Sequence, residues 1–151
     1  MDIRVRPATG YDIEGWLRMR KALWPYIPED KHRQEMEQSF SSPGVVFVAE
    51  HKEAGLVGFA EISIRKDYVP GASGGPVPYV EGWYVDETYQ GSGIGRSLIE
   101  AAERWSLEKG FTRIASDALI DNSKSIAVHT ALGFREVERC VHFIKSLDKA
   151  S

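Results

Sequence analysis

Apolar and polar positions change period along the chain in blocks short enough to read as separate elements. Ile3 and Val5 alternate with charged neighbours, the two-residue period of a short strand. Thr9 follows as a helix cap, and Ile13, Trp16, Leu17 and Leu23 recur near helical spacing until Pro25 stops the run. A second, more polar helix follows Pro28 and ends near Phe40. Val45 to Glu50 and Leu56 to Ile64 are rich in β-branched and aromatic residues and are separated by a short turn ending at Gly55, the pattern of an antiparallel hairpin. Lys66 to Pro78 holds three glycines and three prolines, so neither strand continues through it, and a long loop is predicted.

Tyr79 to Val85 reads as a buried strand. After a glycine-spaced turn, Ile94, Leu98, Ala101, Ala102 and Trp105 mark one side of a helix ended by Gly110. Phe111 to Ser116 reads as a further strand, Asn122 to Leu132 as a helix stopped by Gly133, and Phe134 to Ile144 as one long strand or two short ones. This order predicts an α/β domain around a mixed sheet.

The 151 residues suffice for one hydrophobic core, so a single domain over 1–151 is expected. With 42% apolar and 27% charged residues, wholesale disorder is excluded. Nineteen basic against 22 acidic side chains leave a formal charge of −3, with no basic run to neutralise a phosphate backbone, so nucleic acid is not expected as a partner. Cys140 stands alone, which excludes an intramolecular disulfide and sites built from several thiolates. His32, His51, His129 and His142 lack ligand spacing, so no metal is implied. The N-terminus has no secretory pattern, and no segment approaches the roughly 20 apolar residues that span a bilayer. A cytoplasmic location and no membrane partner are expected.

The most informative stretch is Gln90-Gly91-Ser92-Gly93-Ile94-Gly95-Arg96, between a strand and a helix. Glycines there let the backbone approach a ligand, and the unpaired amides of a new helix favour an anion such as a diphosphate. Three glycines at alternate positions also suit a plain tight turn. A nucleotide P-loop is excluded, because Gln90 stands where its first glycine is needed and Arg96 replaces its lysine. A dinucleotide fingerprint would place its third glycine at Arg96, although Asp117 imitates its ribose-binding carboxylate.

Gln90-x-x-Gly93-x-Gly95 after a strand resembles the acetyl-CoA motif of the GNAT acetyltransferase superfamily. Asn122, His129 and Leu132-Gly133-Phe134 resemble that family's second cofactor motif. The resemblance implies a single-domain α/β fold: a mixed, mostly antiparallel sheet with a splayed central strand pair and flanking helices. It implies that the amides of Gly91, Ser92, Gly93, Ile94, Gly95 and Arg96 grip the CoA diphosphate. The pantetheine arm would then run beside Trp83, Tyr84 and Val85, oriented by Asn122. A bulge at Gly82 would separate the strand of Glu81 from that of Asp117, with the thioester in the gap.

Attack on a thioester requires a neutral amine, hence a proton acceptor, an oxyanion donor and a proton for the departing thiolate. Glu81 is a lone carboxylate in the apolar strand YVEGWYV, so it faces a cleft or a buried partner, or else lies on an exposed edge. The resemblance assigns the oxyanion contact to the Val85 amide. His129 stands where the family usually has the tyrosine that protonates the thiolate. It is either that acid or a hydrogen-bonded structural residue.

Leu23-Trp24-Pro25, Arg65-Lys66-Asp67-Tyr68-Val69, Val80-Glu81-Gly82 and Ala115-Ser116-Asp117 are similar to segments of the aminoglycoside 6'-N-acetyltransferases. That similarity implies that Trp24, Tyr68, Glu81 and Asp117 surround a polycationic aminoglycoside, carboxylates pairing its ammonium groups and rings covering its sugars. It also implies a homodimer, with the terminal strand Glu136 to Ile144 pairing or swapping across the interface. The other readings are acetylation of a polyamine or protein amine, and a non-catalytic acyl-CoA sensor.

Overall fold

Residues 2–148 are described by a computed structural model, and the chain divides after Asp117 into two units. The expected domain range 1–151 therefore includes Met1 and 149–151, which lie outside the described residues. In the first unit, helix starts follow local sequence signals. Thr9 and Asp12 cap a single 3₁₀ turn reciprocally: the Tyr11 amide donates to Thr9 Oγ1 at 3.3 Å, and the Thr9 amide to Asp12 Oδ2 at 2.7 Å. The turn opens into α1, Ile13–Leu23, which ends as the Trp24 amide donates to the Arg20 carbonyl at 2.7 Å, just before Pro25. Helix α2, Glu29–Ser39, begins directly after Pro28.

Four strands, β1 (Ile3–Pro7), β2 (Val45–His51), β3 (Gly55–Arg65) and β4 (Val77–Val85), form an antiparallel sheet in that spatial order. Helix α3, Ile94–Glu108, crosses one face of the sheet, and α1 and α2 cover the other. The two-residue period of the strands divides their side chains between these layers. Val46, Val48 and Phe59 join Trp16, Leu17, Met19 and Met36 in one core cluster. Gly58, one residue before Phe59, faces Leu98 and Ile94 of α3 instead.

The β3–β4 register breaks at one point that shapes the site. Glu61 pairs with Gly82 and Ile62 with Val80, so Glu81 is the extra, unpaired residue. The bulge expected at Gly82, between the strands of Glu81 and Asp117, falls instead at Glu81, in the pairing of β4 with β3. On its outer side β4 has a single parallel bridge, Tyr79 to Ala115, in which the Val80 amide donates to the Ala115 carbonyl at 2.9 Å. Beyond Val80 no strand among the described residues pairs with that edge.

Two predicted strands are corrected by the structure. Phe111 to Ser116 contributes only the bridge at Ala115. In the second unit, α4 (Ser123–Ala131) forms as expected, but Phe134 to Ile144 forms no strand. β-Branched and aromatic residues favour extended backbone, yet a strand exists only where a neighbour completes its ladder, and none among the described residues does so here. Val141, Phe143 and Ile144 are consequently exposed.

Candidate active site

In the first unit, α1 and α2 bring side chains against the bulge of β4. A hollow of about 300 Å³ is lined by Arg20, Trp24, Ile27, Glu35, Glu61 and Glu81. Trp24, just past the end of α1, reaches it because Gly82 leaves room: a Cβ on Gly82 would lie 2.5 Å from the indole Cη2. A second hollow of about 230 Å³ shares Glu61 and Glu81 with the first. Three carboxylates, one guanidinium and an aromatic wall make the first hollow a fit for a hydroxylated polycation.

Glu81 is not an isolated carboxylate. Arg65 Nε and Nη2 donate to its two oxygens at 2.8 and 2.7 Å, and Ser63 Oγ donates at 2.5 Å. Burial pushes its pKa upward, but the bonds from Arg65 and Ser63 together outweigh that and hold it below the usual carboxylate range. The same guanidinium lies 3.5 Å over the ring of Tyr79, whose hydroxyl donates to Asp117 at 2.5 Å. Burial and the Asp117 carboxylate both push the Tyr79 phenol upward. Glu81 and Asp117, predicted from separate segments, are thus linked through Arg65 and Tyr79, by hydrogen bonds at the two ends and a cation–ring contact between them. Tyr68 lies on the loop before β4, is 77% exposed and lines neither hollow.

A buried polar cluster forms the rear wall. Arg20, 3% exposed, donates to both oxygens of Glu61 at 2.9 and 2.7 Å, to Glu35 at 2.5 Å and to His32 Nδ1 at 3.1 Å. A guanidinium can only donate, so His32 Nδ1 carries a lone pair and Nε2–H donates to the Trp24 carbonyl at 3.2 Å. Trp16 donates its indole N–H to Glu61 at 2.9 Å. Burial pushes the Glu61 carboxyl above its ordinary range despite Arg20 and Trp16. Arg20, His32, Glu35, Glu61 and Arg65 were not singled out from the sequence. The available signals were Arg20 at helical spacing from Trp16 and Glu61 in the apolar run LVGFAEISI, the same logic that marks Glu81.

At the far end of β4 the glycine turn is tied to the strand. Gln90 Nε2 donates to the Val85 carbonyl at 2.9 Å and the Trp83 indole to the Gly95 carbonyl at 3.2 Å. Tyr84 lies between them in sequence, its ring 6.1 Å from that of Phe59. Gly91 and Gly93 adopt φ of 81° and 89°, a conformation open to glycine. The amides of Gly91, Ser92, Gly93, Ile94, Gly95 and Arg96 have no acceptor among the described residues, and the first hydrogen bond of α3 runs from Ser97 to Gly93. Arg96 is exposed beside them.

In the second unit, Asn122 caps α4, its Oδ1 accepting from the Ser125 amide at 3.1 Å. His129 Nδ1 lies 2.8 Å from the Ser125 carbonyl, which fixes a proton on Nδ1, and its ring meets Phe134 edge-on with centroids 5.2 Å apart. A neutral His129 therefore presents Nε2 as an acceptor and gives up a proton only as imidazolium. Among the described residues no group of three or more His, Cys, Asp or Glu could hold a metal. No helix among them is long and apolar enough to cross a membrane.

The family model for the acetyltransferase (GNAT) family matches residues 14–134. The chain belongs to that family. It is similar to the aminoglycoside N(6')-acetyltransferase type 1 of Stenotrophomonas maltophilia, 39% identical over 148 residues, 97% of this chain and 95% of that protein. The corresponding protein of Salmonella enteritidis is 37% identical over 145 residues, 96% of this chain and 99% of the relative. Among solved structures, AAC(6')-Iy in complex with the bisubstrate analogue CoA-S-monomethyl-acetylneamine matches with a TM-score of 0.90 at 35% identity, covering 97% of this chain and 99% of that one. AAC(6')-Ih from Acinetobacter baumannii matches with a TM-score of 0.88 at 37% identity, with the same coverage.

For a GNAT acetyltransferase, the residues of the turn fit the diphosphate of a CoA thioester. Three amides without an acceptor among the described residues open a 15-residue helix and three more lie in the turn before it, where the helix carries its positive partial charge, and a Cβ on Gly91 or Gly93 would meet nothing within 4 Å.

Proposed function

We propose that this GNAT acetyltransferase transfers the acetyl group of acetyl-CoA to the 6'-amine of an aminoglycoside. What carries this reading is the near full-length similarity to proteins named aminoglycoside N(6')-acetyltransferase, one of them solved with a CoA-aminoglycoside analogue. The hollow walled by Trp24, Glu35, Glu61 and Glu81 supports it independently, because its charge and size suit a polycation. Both units act as one catalytic domain in this proposal, since the family match runs across the division at Asp117.

The amides from Gly91 to Arg96 hold the diphosphate, with Arg96 adding a cation. The pantetheine arm follows the outer edge of β4 past Trp83, Tyr84 and Val85, where no strand competes for the backbone, and Asn122 orients it. Gln90 keeps that edge in register with the turn through the Val85 carbonyl. Glu81 accepts a proton from the acceptor's ammonium, directly or through water. The nitrogen bonds to the thioester carbon and sheds its second proton to solvent, the carbon–sulfur bond breaks as the carbonyl re-forms, and CoA thiolate departs. The Val85 amide stabilises the oxyanion and His129, as imidazolium, supplies the thiolate proton. Asp117 orients the cation, and Tyr68 supplies an aromatic ring to the acceptor from its loop.

The chain acts as a homodimer in which the segment from Glu136 to Ile144 finds its strand partner. Exposure of Val137, Val141, Phe143 and Ile144 supports this. In this reading the protein works in the cytoplasm. A steady-state assay of CoA release with kanamycin, spermine and lysine peptides tests the acceptor class. Turnover confined to kanamycin supports the proposal, turnover with spermine or peptide replaces the acceptor, and CoA binding without turnover replaces the enzyme by a sensor.

A further inference from the structure

Two arginines serve the carboxylates of the hollow, and they differ in exposure. Arg20 is sealed in, with its side chain 4% exposed. Arg65, at the last position of β3, keeps 41% of its side-chain surface in solvent while making a two-pronged pair with Glu81. A buried pair is part of the scaffold, whereas an exposed pair opens at little cost. Arg65 also stacks on Tyr79, which bonds Asp117, so one movable cation pairs directly with Glu81 and, through Tyr79, neighbours the second carboxylate that the proposed function assigns to the acceptor. An incoming ammonium at Glu81 would meet the guanidinium at contact distance, and like charges so placed repel.

We propose that Arg65 is a placeholder for the acceptor's ammonium group: it occupies Glu81 in the free protein, is displaced when a polycation binds, and so determines specificity for charged acceptors. This inference rests on the reading that Glu81 meets the acceptor. Displacement has a chemical consequence. The acceptor's ammonium takes over the pairing with Glu81, and once its proton has moved to the carboxylate no guanidinium remains to oppose the burial that pushes Glu81 upward. The other charged or titratable groups around it are Glu61 from β3, Arg20 from α1, Glu35 from α2 and Tyr79 beside it on β4.

The test uses the full chain with Arg65→Met and Arg65→Lys, kanamycin and acetyl-CoA across a pH series. Removing the placeholder lowers KM for kanamycin roughly threefold, the scale of an exposed ion pair. It also moves the acid limb of kcat/KM to higher pH, while Arg65→Lys stays near the parent in both. A KM that rises or stays level in Arg65→Met overturns the proposal, because an arginine that merely anchors Glu81 gives that result. A second readout needs no turnover: the ¹³C carboxyl signal of Glu81 in glutamate-labelled protein, identified by its loss in Glu81→Gln. In Arg65→Met this signal titrates at higher pH than in the free parent. If it does not move in Arg65→Met, the placeholder role is wrong. If it moves there while the parent neither binds nor acetylates kanamycin, the proposed acceptor is wrong.

Discussion

The indole of Trp24 lies so close over Gly82 that a Cβ there would be 2.5 Å from Cη2 and 3.0 Å from Cζ2. One missing side chain on β4 therefore lets an aromatic ring from the end of α1 form a wall of the acceptor hollow, next to the bulge that turns out Glu81. Gly82→Ala forces that ring aside. Destabilisation of about 1–3 kcal/mol, the usual cost of overpacking, accompanies a rise in KM for the aminoglycoside with little change in CoA affinity. Thermal denaturation and separate titrations of the two substrates check this.

Replacing the carboxylate of Glu81 by an amide removes the proton acceptor and the charge that opposes Arg65. In Glu81→Gln, kcat falls by about a hundredfold or more, within the range for lost general-base catalysis, while the dissociation constant for CoA stays within about twofold. Isothermal titration with CoA alongside steady-state rates separates the two. Equal losses in both would remove Glu81 from the chemistry.

The rear wall behaves as one unit. Arg20→Met leaves Glu61 buried beside Trp16 with its charge uncompensated, which lowers stability by about 3–5 kcal/mol. Glu61→Gln combined with Arg20→Met costs less than the sum of the single changes, because the second change removes the stranded charge. Urea denaturation of the four members of the cycle measures the coupling.

Acid sensitivity is expected from Asp12. Its carboxyl accepts from Arg6 Nη1 and Nη2, both at 2.8 Å. These bonds, against burial and together with the Thr9 amide, hold it below the ordinary 3.8. A depressed folded value means that the unfolded chain protonates first as pH falls. The stabilisation is therefore full above about 4 and is lost as pH falls through the folded value. Asp12→Asn is less stable than the parent by about 1–2 kcal/mol near neutral pH, and the difference closes on acidification. Denaturant midpoints at a series of pH values show whether it does.

Elements governed by neighbouring residues were legible in the sequence. The Thr9 cap, the stop at Pro25, the hairpin around Gly55 and the turn from Gln90 to Gly95 all lie where spacing puts them. Features that need a distant partner were less so. Phe134 to Ile144 reads as strand, but no neighbour among the described residues forms a ladder with it. The bulge falls on Glu81 because register is set jointly by β3 and β4. Trp24 and Glu81 line one hollow, whereas the pairing of Glu81 with Arg65 depends on which side chains share one sheet face after the bulge, and Tyr68 stands apart from both hollows.

Position of the transferred group tests the account most directly. The chain is incubated with acetyl-CoA and kanamycin, CoA release is followed, and the product is assigned by NMR. The account predicts one acetyl group per CoA released, on the 6'-nitrogen alone. Acetylation at another amine, or CoA binding with no acetylated kanamycin, contradicts it.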